Sequence, residues 1–420
     1  MMDVNYKNNK RYDVGKKPIR QPFYLTWLIW FLSKFMLMGK KYKIEKINME
    51  GLKPPYLILS NHMAFIDFEL TAVGTYPHRV NSVVNFDGYY QRAWLLRWIG
   101  SVCTRKFTTD LKLVKNISTC LKRGDVLCLY PEARYSPIGT TAYLPDSLGK
   151  LVKLNKVPVV CVVHHGNYLQ GPFWNFRRKR KVPFYTTMTK ILDTDQIKEM
   201  SVDEINKLIR ESLAYDEYKY QKDNNIVIDE LFRAEGLHKV LYKCPHCLSE
   251  EDMASEGTEI YCKKCQKRWR LNEDGSLSAL DGDTIFEHVP DWFEYQRKEV
   301  IKEIENNTYL YEDEVDVYSL PRSSRFIKLG RAKIRHDPNG GFVLKGHYRD
   351  KDYLIQRKPL EIEGLHVEYD YFRIRKEDCF VINTENDSFF CYPCNKKNVT
   401  KLAFATEEIF QKKLKEKRLR

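Results

Sequence analysis

Short apolar runs at residues 56–60, 126–130 and 157–163 alternate with helical stretches between residues 44 and 215, and no other feature constrains the fold as tightly. Each run has strand length. Strand–helix alternation of this kind builds an α/β domain around a mixed or mostly parallel sheet. In such sheets the loops that handle ligands gather where strands end. Two of the runs end in residues with chemistry. The first passes into Asn61-His62-Met63-Ala64-Phe65-Ile66-Asp67, the second into Pro131-Glu132-Ala133-Arg134-Tyr135-Ser136.

His62 and Asp67 are the residue types of a held general base. The carboxylate sets the imidazole tautomer and stabilises the imidazolium formed when the ring takes a proton. Residues five apart lie about 140° around a helix, so the pair belongs on a loop leading into a helix. Alone, the pattern equally fits a helix N-terminal acid beside a hydrogen-bonded loop histidine. It does not stand alone. Gly100-Ser101-Val102-Cys103-Thr104-Arg105 follows, then the Glu132 loop, then the Val157-Pro158 strand.

This ordered set resembles the four blocks of the glycerolipid acyltransferase family: Asn-His-x-x-x-x-Asp, a Gly-rich segment ending in Arg, Phe-Pro-Glu-Gly-Thr-Arg and a Val-Pro strand. The resemblance covers the first half of the chain. It implies a mixed sheet flanked by helices and acyl transfer from a thioester, acyl-CoA or acyl-carrier protein, to a lysophospholipid, 1-acyl-glycerol-3-phosphate foremost. It also implies that His62 is the base and Asp67 its orienter, with Asn61, Arg105, Glu132 and Arg134 around the acceptor. A thioester is already activated, and the first domain has no Gly-x-Ser-x-Gly elbow, so no enzyme nucleophile is required. One departure concerns the acceptor. The family's loop arginine stands three residues after the glutamate, where this chain has Tyr135. Either Arg134 does the same job from a shorter loop, or phosphate recognition is rearranged.

A net charge of +14 implies an acidic partner, nucleic acid or an anionic membrane face. The apolar run 23–38 reaches about 24 Å as a helix, short of the roughly 30 Å hydrocarbon core. Lys34 at mid-bilayer would add about 3 kcal/mol. The run reads as a helix lying in the interface, preceded by a basic arm of Lys7, Lys10, Arg11, Lys16, Lys17 and Arg20. A buried core helix with a solvated tail is the alternative. Phe173-Trp174-Asn175-Phe176, followed by the cations Arg177 to Lys181, reads as a second contact for anionic lipid. No signal peptide is recognisable, which places the chain at the cytoplasmic face of the cell membrane, peripheral or monotopic.

Eleven cysteines, partly in Cys-x-x-Cys pairs, suit bound metal in a reducing compartment better than disulfides. Cys244, Cys247, Cys262 and Cys265 form two knuckles with 14 residues between them. They would close a small ribbon around one structural Zn2+, leaving His246 a bystander. Zinc ribbons also occur in nucleic-acid-binding factors, but the charges at 243–270 are nearly balanced where such a face needs a basic stripe.

The remaining chain predicts a helix at 201–213 capped by Ser201 and a charged connecting helix at 291–306. Short alternating segments at 342–346, 353–356, 366–371, 380–382 and 389–391 come next, then a final helix from Thr406. These predict a small antiparallel barrel closed by a helix, which resembles a pleckstrin-homology module in shape only. Five units result: arm and interfacial helix 1–43, acyltransferase-like domain 44–235, ribbon 236–287, linker helix 288–314 and β-rich domain 315–420.

Overall fold

The computed structural model describes residues 4, 11–108, 110–396 and 398–419. Lys7 and Lys10 of the basic arm lie outside the described residues. Helix α1 (Phe23–Met36) leads into β1 (Tyr42–Ile47) and β2 (Leu57–Ser60). There follow α2 (Asp67–Thr75), β3 (Val80–Asn85), α3 (Ala93–Trp98), β4 (Val102–Thr104), α4 (Leu111–Lys122) and β5 (Val126–Leu129). Then come α5 (Ser147–Asn155), β6 (Val159–His165), α6 (Asn167–Gln170) and β7 (Phe184–Leu192). Helices α7 (Thr194–Glu199), α8 (Val202–Leu213) and α9 (Glu217–Asp223) close the unit.

The seven strands lie in the order β1-β7-β6-β2-β5-β3-β4, parallel throughout except where β7 meets β6. The sheet is therefore mixed, as the alternation predicts. Its central strands are apolar along most of their length, at 57–59, 126–129 and 159–163, because both faces are covered. Leu57 and Leu59 enter one cluster with α4, α5 and α8, whereas Tyr56 and Ile58 enter a second on the other face. Ser201 caps α8 with a capping box to Glu204, as its sequence predicts.

The middle of the chain folds as a four-stranded antiparallel sheet, β8 (Met253–Glu256), β9 (Glu259–Cys262), β10 (Arg268–Leu271) and β11 (Leu277–Ala279). Its charges are largely paired: Lys243 with Glu250 and Glu299, and Arg268 with Glu259. Helix α10 (Val289–Glu305) connects it to β12 (Tyr311–Arg322), β13 (Arg325–Asp337), β14 (Gly341–Tyr348) and β15 (Lys351–Arg357). Strands β16 (His366–Glu368), β17 (Cys379–Asn383) and β18 (Ser388–Pro393) and helix α11 (Val399–Arg418) complete the chain. The last seven strands form one antiparallel sheet, order β15-β14-β13-β12-β18-β17-β16. A single apolar cluster runs from Met63, Tyr168 and Trp174 through the small sheet and α10 into the C-terminal sheet. The units share one core.

Several expectations are corrected. The final helix begins at Val399, seven residues before Thr406, because Leu402, Phe404 and Ala405 bury against the sheet. β12 and β13 are the longest strands, and their alternation at 314–317 and 331–335 lies outside the segments predicted as strands. Glu312, Glu314 and Asp316 on one pair cross-strand with Arg335, Lys333 and Arg331 on the other, so their outer faces are charged. β1 and β12 start at Tyr42 and Tyr311, inside segments assigned to arm and linker. The basic arm is stitched to the body: Arg20 pairs with Asp125, and Arg123 donates to the Pro18 and Ile19 carbonyls. In the cluster at 173–181, Trp174 and Arg180 are buried, while Arg177, Arg178, Lys179 and Lys181 are exposed, Arg178 pairing with Glu235 and Arg177 donating to the Asp370 carbonyl.

Candidate active site

The exit of β2 is pinned before it turns. Asn61 is fully buried, donating from Nδ2 to the His164 carbonyl (3.1 Å) and accepting from the His164 N–H (2.9 Å). This side chain joins β2 to β6 as a backbone ladder would, and its amide is fully used by the fold. The chain then curls through residues 62–66 into α2. Asp67, the first residue of that helix, closes the curl: Oδ2 accepts from the Met63 N–H (2.7 Å), the Ala64 N–H (3.1 Å) and His62 Nδ1 (3.0 Å). Oδ1 accepts from Asn167 Nδ2 at 2.7 Å.

The pair is tuned toward a neutral imidazole beside an ionised carboxylate. Burial, aided by the nearby Lys106 ammonium, holds His62 below its ordinary value against the pull of Asp67. Burial alone would raise the Asp67 carboxyl, but His164, His62 and the Asn167 amide outweigh it and keep it low. With Nδ1 given to Asp67, Nε2 is the ring nitrogen left to accept a proton.

The Glu132 loop lies directly against His62. The Ser136 N–H donates to the His62 carbonyl at 2.8 Å. Tyr130 stacks on the imidazole and Tyr135 packs tilted against it, with ring centroids 4.0 and 4.1 Å away. Glu132 is buried, accepts from the Ala142 N–H at 3.0 Å, and has its carboxyl pushed up to about 7 by burial. Arg134 turns away from the imidazole. It pairs with Glu407 of α11, whose other oxygen takes Arg297 of α10 at 2.9 Å. The position that the family gives to arginine thus holds a tyrosine over the imidazole, and Arg134 clasps the C-terminal helix.

His62, Tyr130 and Tyr135 line a cavity of about 1010 Å³, at the top of the roughly 300–1,000 Å³ range of ligand pockets. Around α3, α4 and α5 its lining is apolar, with Leu95, Ile99, Val114, Ile117, Leu148 and Leu151. The C-terminal unit contributes Glu368, Tyr371 and Arg373 to the lining. Arg105 lines the cavity as well. Buried, it donates to the Glu385 carbonyl at 3.0 Å and lies over the Phe86 ring.

The structure thus brings His62 and Arg105 to one cavity, with Asp67 and Glu132 buried behind its wall. It leaves Asn61 in the core and Arg134 on a structural ion pair. Lys106, Asn167 and Tyr130 join the site without a role read from the sequence, and Tyr135, noted there only as standing in the arginine's place, joins it too. Lys106 follows Arg105 and the tyrosines bracket the Glu132 loop, so their position is a usable signal. Asn167 carries none.

The four cysteines converge at the small sheet. Cys244 and Cys265 sulfurs lie 3.7 Å apart, those of Cys247 and Cys262 3.6 Å, and all four lie within 4.8 Å of one another. A tetrahedron with metal–sulfur bonds of about 2.3 Å has edges of roughly 3.8 Å, so this set is able to hold a metal ion.

No protein-family model matches the chain, and no curated protein matches it in sequence. Among solved structures it is similar to the 1-acyl-sn-glycerophosphate (LPA) acyltransferase PlsC of Thermotoga maritima. That likeness has 17% identity, covers 45% of this chain and 77% of that one, and has a TM-score of 0.38.

Proposed function

We propose that the chain is an O-acyltransferase that moves a fatty acyl group from acyl-CoA or acyl-carrier protein to a glycerol hydroxyl of a lysophospholipid, as in phospholipid biosynthesis. The observation that carries this reading is His62, hydrogen-bonded to buried Asp67 at 3.0 Å and lining a cavity whose wall is part apolar and part charged. The apolar part of the lining suits an acyl chain. In the reaction, the acceptor hydroxyl attacks the thioester carbonyl while His62 Nε2 takes its proton. The tetrahedral intermediate then expels the thiolate, which recovers that proton from the imidazolium. General-base help of this kind lowers the barrier by about 3–5 kcal/mol.

The thiolate geometry supports a structural Zn2+ held by Cys244, Cys247, Cys262 and Cys265, with no open position for chemistry. Seven antiparallel strands with a closing helix support a pleckstrin-homology-type C-terminal unit. Attachment to an anionic membrane surface rests on α1, whose polarity is inverted. Thr26 and Ser33 are buried, while Trp27, Phe31 and Phe35 are exposed, Phe35 at 62%. Trp94 of α3 is exposed at 70%, and Trp98 extends the same face through Tyr24. Among the described residues no helix is long and apolar enough to cross a membrane.

The test is acyl transfer by purified protein, with a panel of acyl donors and lysolipids and the products read by mass spectrometry. His62→Ala should abolish transfer in a folded protein. More than a tenth of wild-type turnover in that variant, or no acylated product from any pairing, overturns the reading.

A further inference from the structure

The base of this site takes up its charge in an unfavourable place. When His62 Nε2 accepts a proton, burial disfavours the imidazolium and the Lys106 ammonium opposes it. Of the other titratable groups that face the ring, His164 on β6 is kept neutral by its own burial. Glu132 is a buried carboxyl with its pKa pushed up to about 7. Asp67 is the carboxylate bonded to the ring, at 3.0 Å from Nδ1.

Two tyrosine rings are also in contact with it. The Tyr130 ring lies 4.0 Å from the imidazole, centroid to centroid and 24° from parallel, and Tyr135 lies 4.1 Å away at 33°. Both distances are well inside the roughly 6 Å at which a cation is drawn to the electron-rich face of an aromatic ring. The Glu132 loop is shaped to deliver them. Tyr130 directly follows β5, the Ala133 N–H donates back to the Tyr130 carbonyl at 3.0 Å, and Ala133 sits in the left-handed region at a φ of 54°. The Ser136 N–H then ties the far side of the loop to the His62 carbonyl at 2.8 Å. Phe173 packs against Tyr135 with ring centroids 5.5 Å apart. A tyrosine where family resemblance expects arginine thereby gains a purpose. A guanidinium in that contact would repel a protonated imidazole, whereas a ring face attracts it.

We infer that Tyr130 and Tyr135 serve the reaction as positioning residues of the base, their ring faces stabilising the imidazolium that His62 becomes when it takes the acceptor proton. The inference rests on the acyltransferase reading for the reaction. The proton comes from the acceptor hydroxyl and leaves on the thiol, so the tyrosines neither gain nor lose an atom, and their hydroxyls take no part.

Phenylalanines carrying one, two and three fluorines, placed at 130 or at 135 in the full chain, weaken the ring face stepwise while nearly keeping its shape. Tyr130→Phe and Tyr135→Phe should each keep at least about half of wild-type kcat. From phenylalanine to the triply fluorinated ring, kcat should fall stepwise by about tenfold in all at each position, which equals about 1.4 kcal/mol. Donor and acceptor KM should stay within about twofold. A weaker ring face destabilises the imidazolium, so the acid limb of kcat should also move to lower pH along the series. Equal kcat across the series overturns the inference. So does a plain phenylalanine variant as impaired as the triply fluorinated one, since the effect would then belong to the hydroxyl. Should wild-type protein acylate no lipid, the acyltransferase reading falls separately, and the His62 titration followed by NMR along the same series decides the ring contact. A midpoint that drops with each fluorine supports the tyrosines as stabilisers of the imidazolium, and an unmoved midpoint overturns it.

Discussion

Asp67→Asn separates the charge of the site from its architecture. The Asp67 carboxylate is completely buried and serves four donors: the Met63 and Ala64 N–H groups, His62 Nδ1 and Asn167 Nδ2. An asparagine that keeps its oxygen toward the first three turns its NH2 toward Asn167. Asn167 can answer, because its Oδ1 has no hydrogen-bond partner among the described residues and a flip of that amide presents it. The fold should therefore lose only the charge assistance, about 1–3 kcal/mol. Asp67→Ala would instead strand several buried donors at about 1–3 kcal/mol each. Catalysis fares differently. A carboxylate 3.0 Å from the imidazolium is worth on the order of 4–5 kcal/mol at an effective dielectric constant near 20. A neutral amide cannot supply it, so kcat should fall by about 10³-fold. Thiol release under saturating donor and acceptor measures this, with circular dichroism and metal content confirming the fold. A folded Asp67→Asn protein that keeps more than a tenth of wild-type kcat would refute the general-base argument.

Because burial and Lys106 lower the His62 pKa and only the neutral ring can accept a proton, activity should rise with pH through a midpoint below the ordinary value of about 6.5 and stay flat through neutrality. Asp67→Asn removes the carboxylate's upward pull and should move that limb lower still; a limb above 6.5 would contradict the assignment. Burial also pushes His165 and His238 down to about 4 and His336 to about 3, so as pH falls below about 6.5 the unfolded chain takes up protons first. Denaturant titrations should show stability declining from there downward. Elemental analysis should find about one zinc per chain, and replacing any of the four cysteines by Ser should release it and loosen the middle of the chain, since such sites contribute about 10–16 kcal/mol to small zinc modules. Trp27→Glu with Phe31→Glu, on the exposed face of α1, should lower binding to anionic vesicles by about 10²-fold or more at roughly 1.5–3 kcal/mol per ring. Unchanged partitioning would remove α1 from the membrane contact.

The sequence by itself determined the features that depend on local pattern. Apolar strand runs alternating with helices specify a two-sided sheet, Ser201 with Glu204 specifies a helix start, and two spaced Cys-x-x-Cys knuckles specify a place where four thiols meet. The five-residue spacing of His62 and Asp67 demanded a curl at a strand end, which local chemistry supplies through the Met63 and Ala64 N–H groups. Tertiary structure decided everything that depends on partners far away in the chain. Asn61 is spent on His164 and Asn167 is recruited to Asp67, contacts spanning 103 and 100 residues. Arg134 is drawn to Glu407 across 273 residues, because a buried guanidinium goes to the nearest buried carboxylate whatever its motif implies. The outer charges of β12 and β13 find their opposite signs only across the ladder, which sets Glu312, Glu314 and Asp316 against Arg335, Lys333 and Arg331. The roof of the cavity, with Glu368 and Arg373, belongs to a unit whose sequence reads as separate. Only the apolar cluster that runs from Met63, Tyr168 and Trp174 into the C-terminal sheet brings that roof to the His62 cavity.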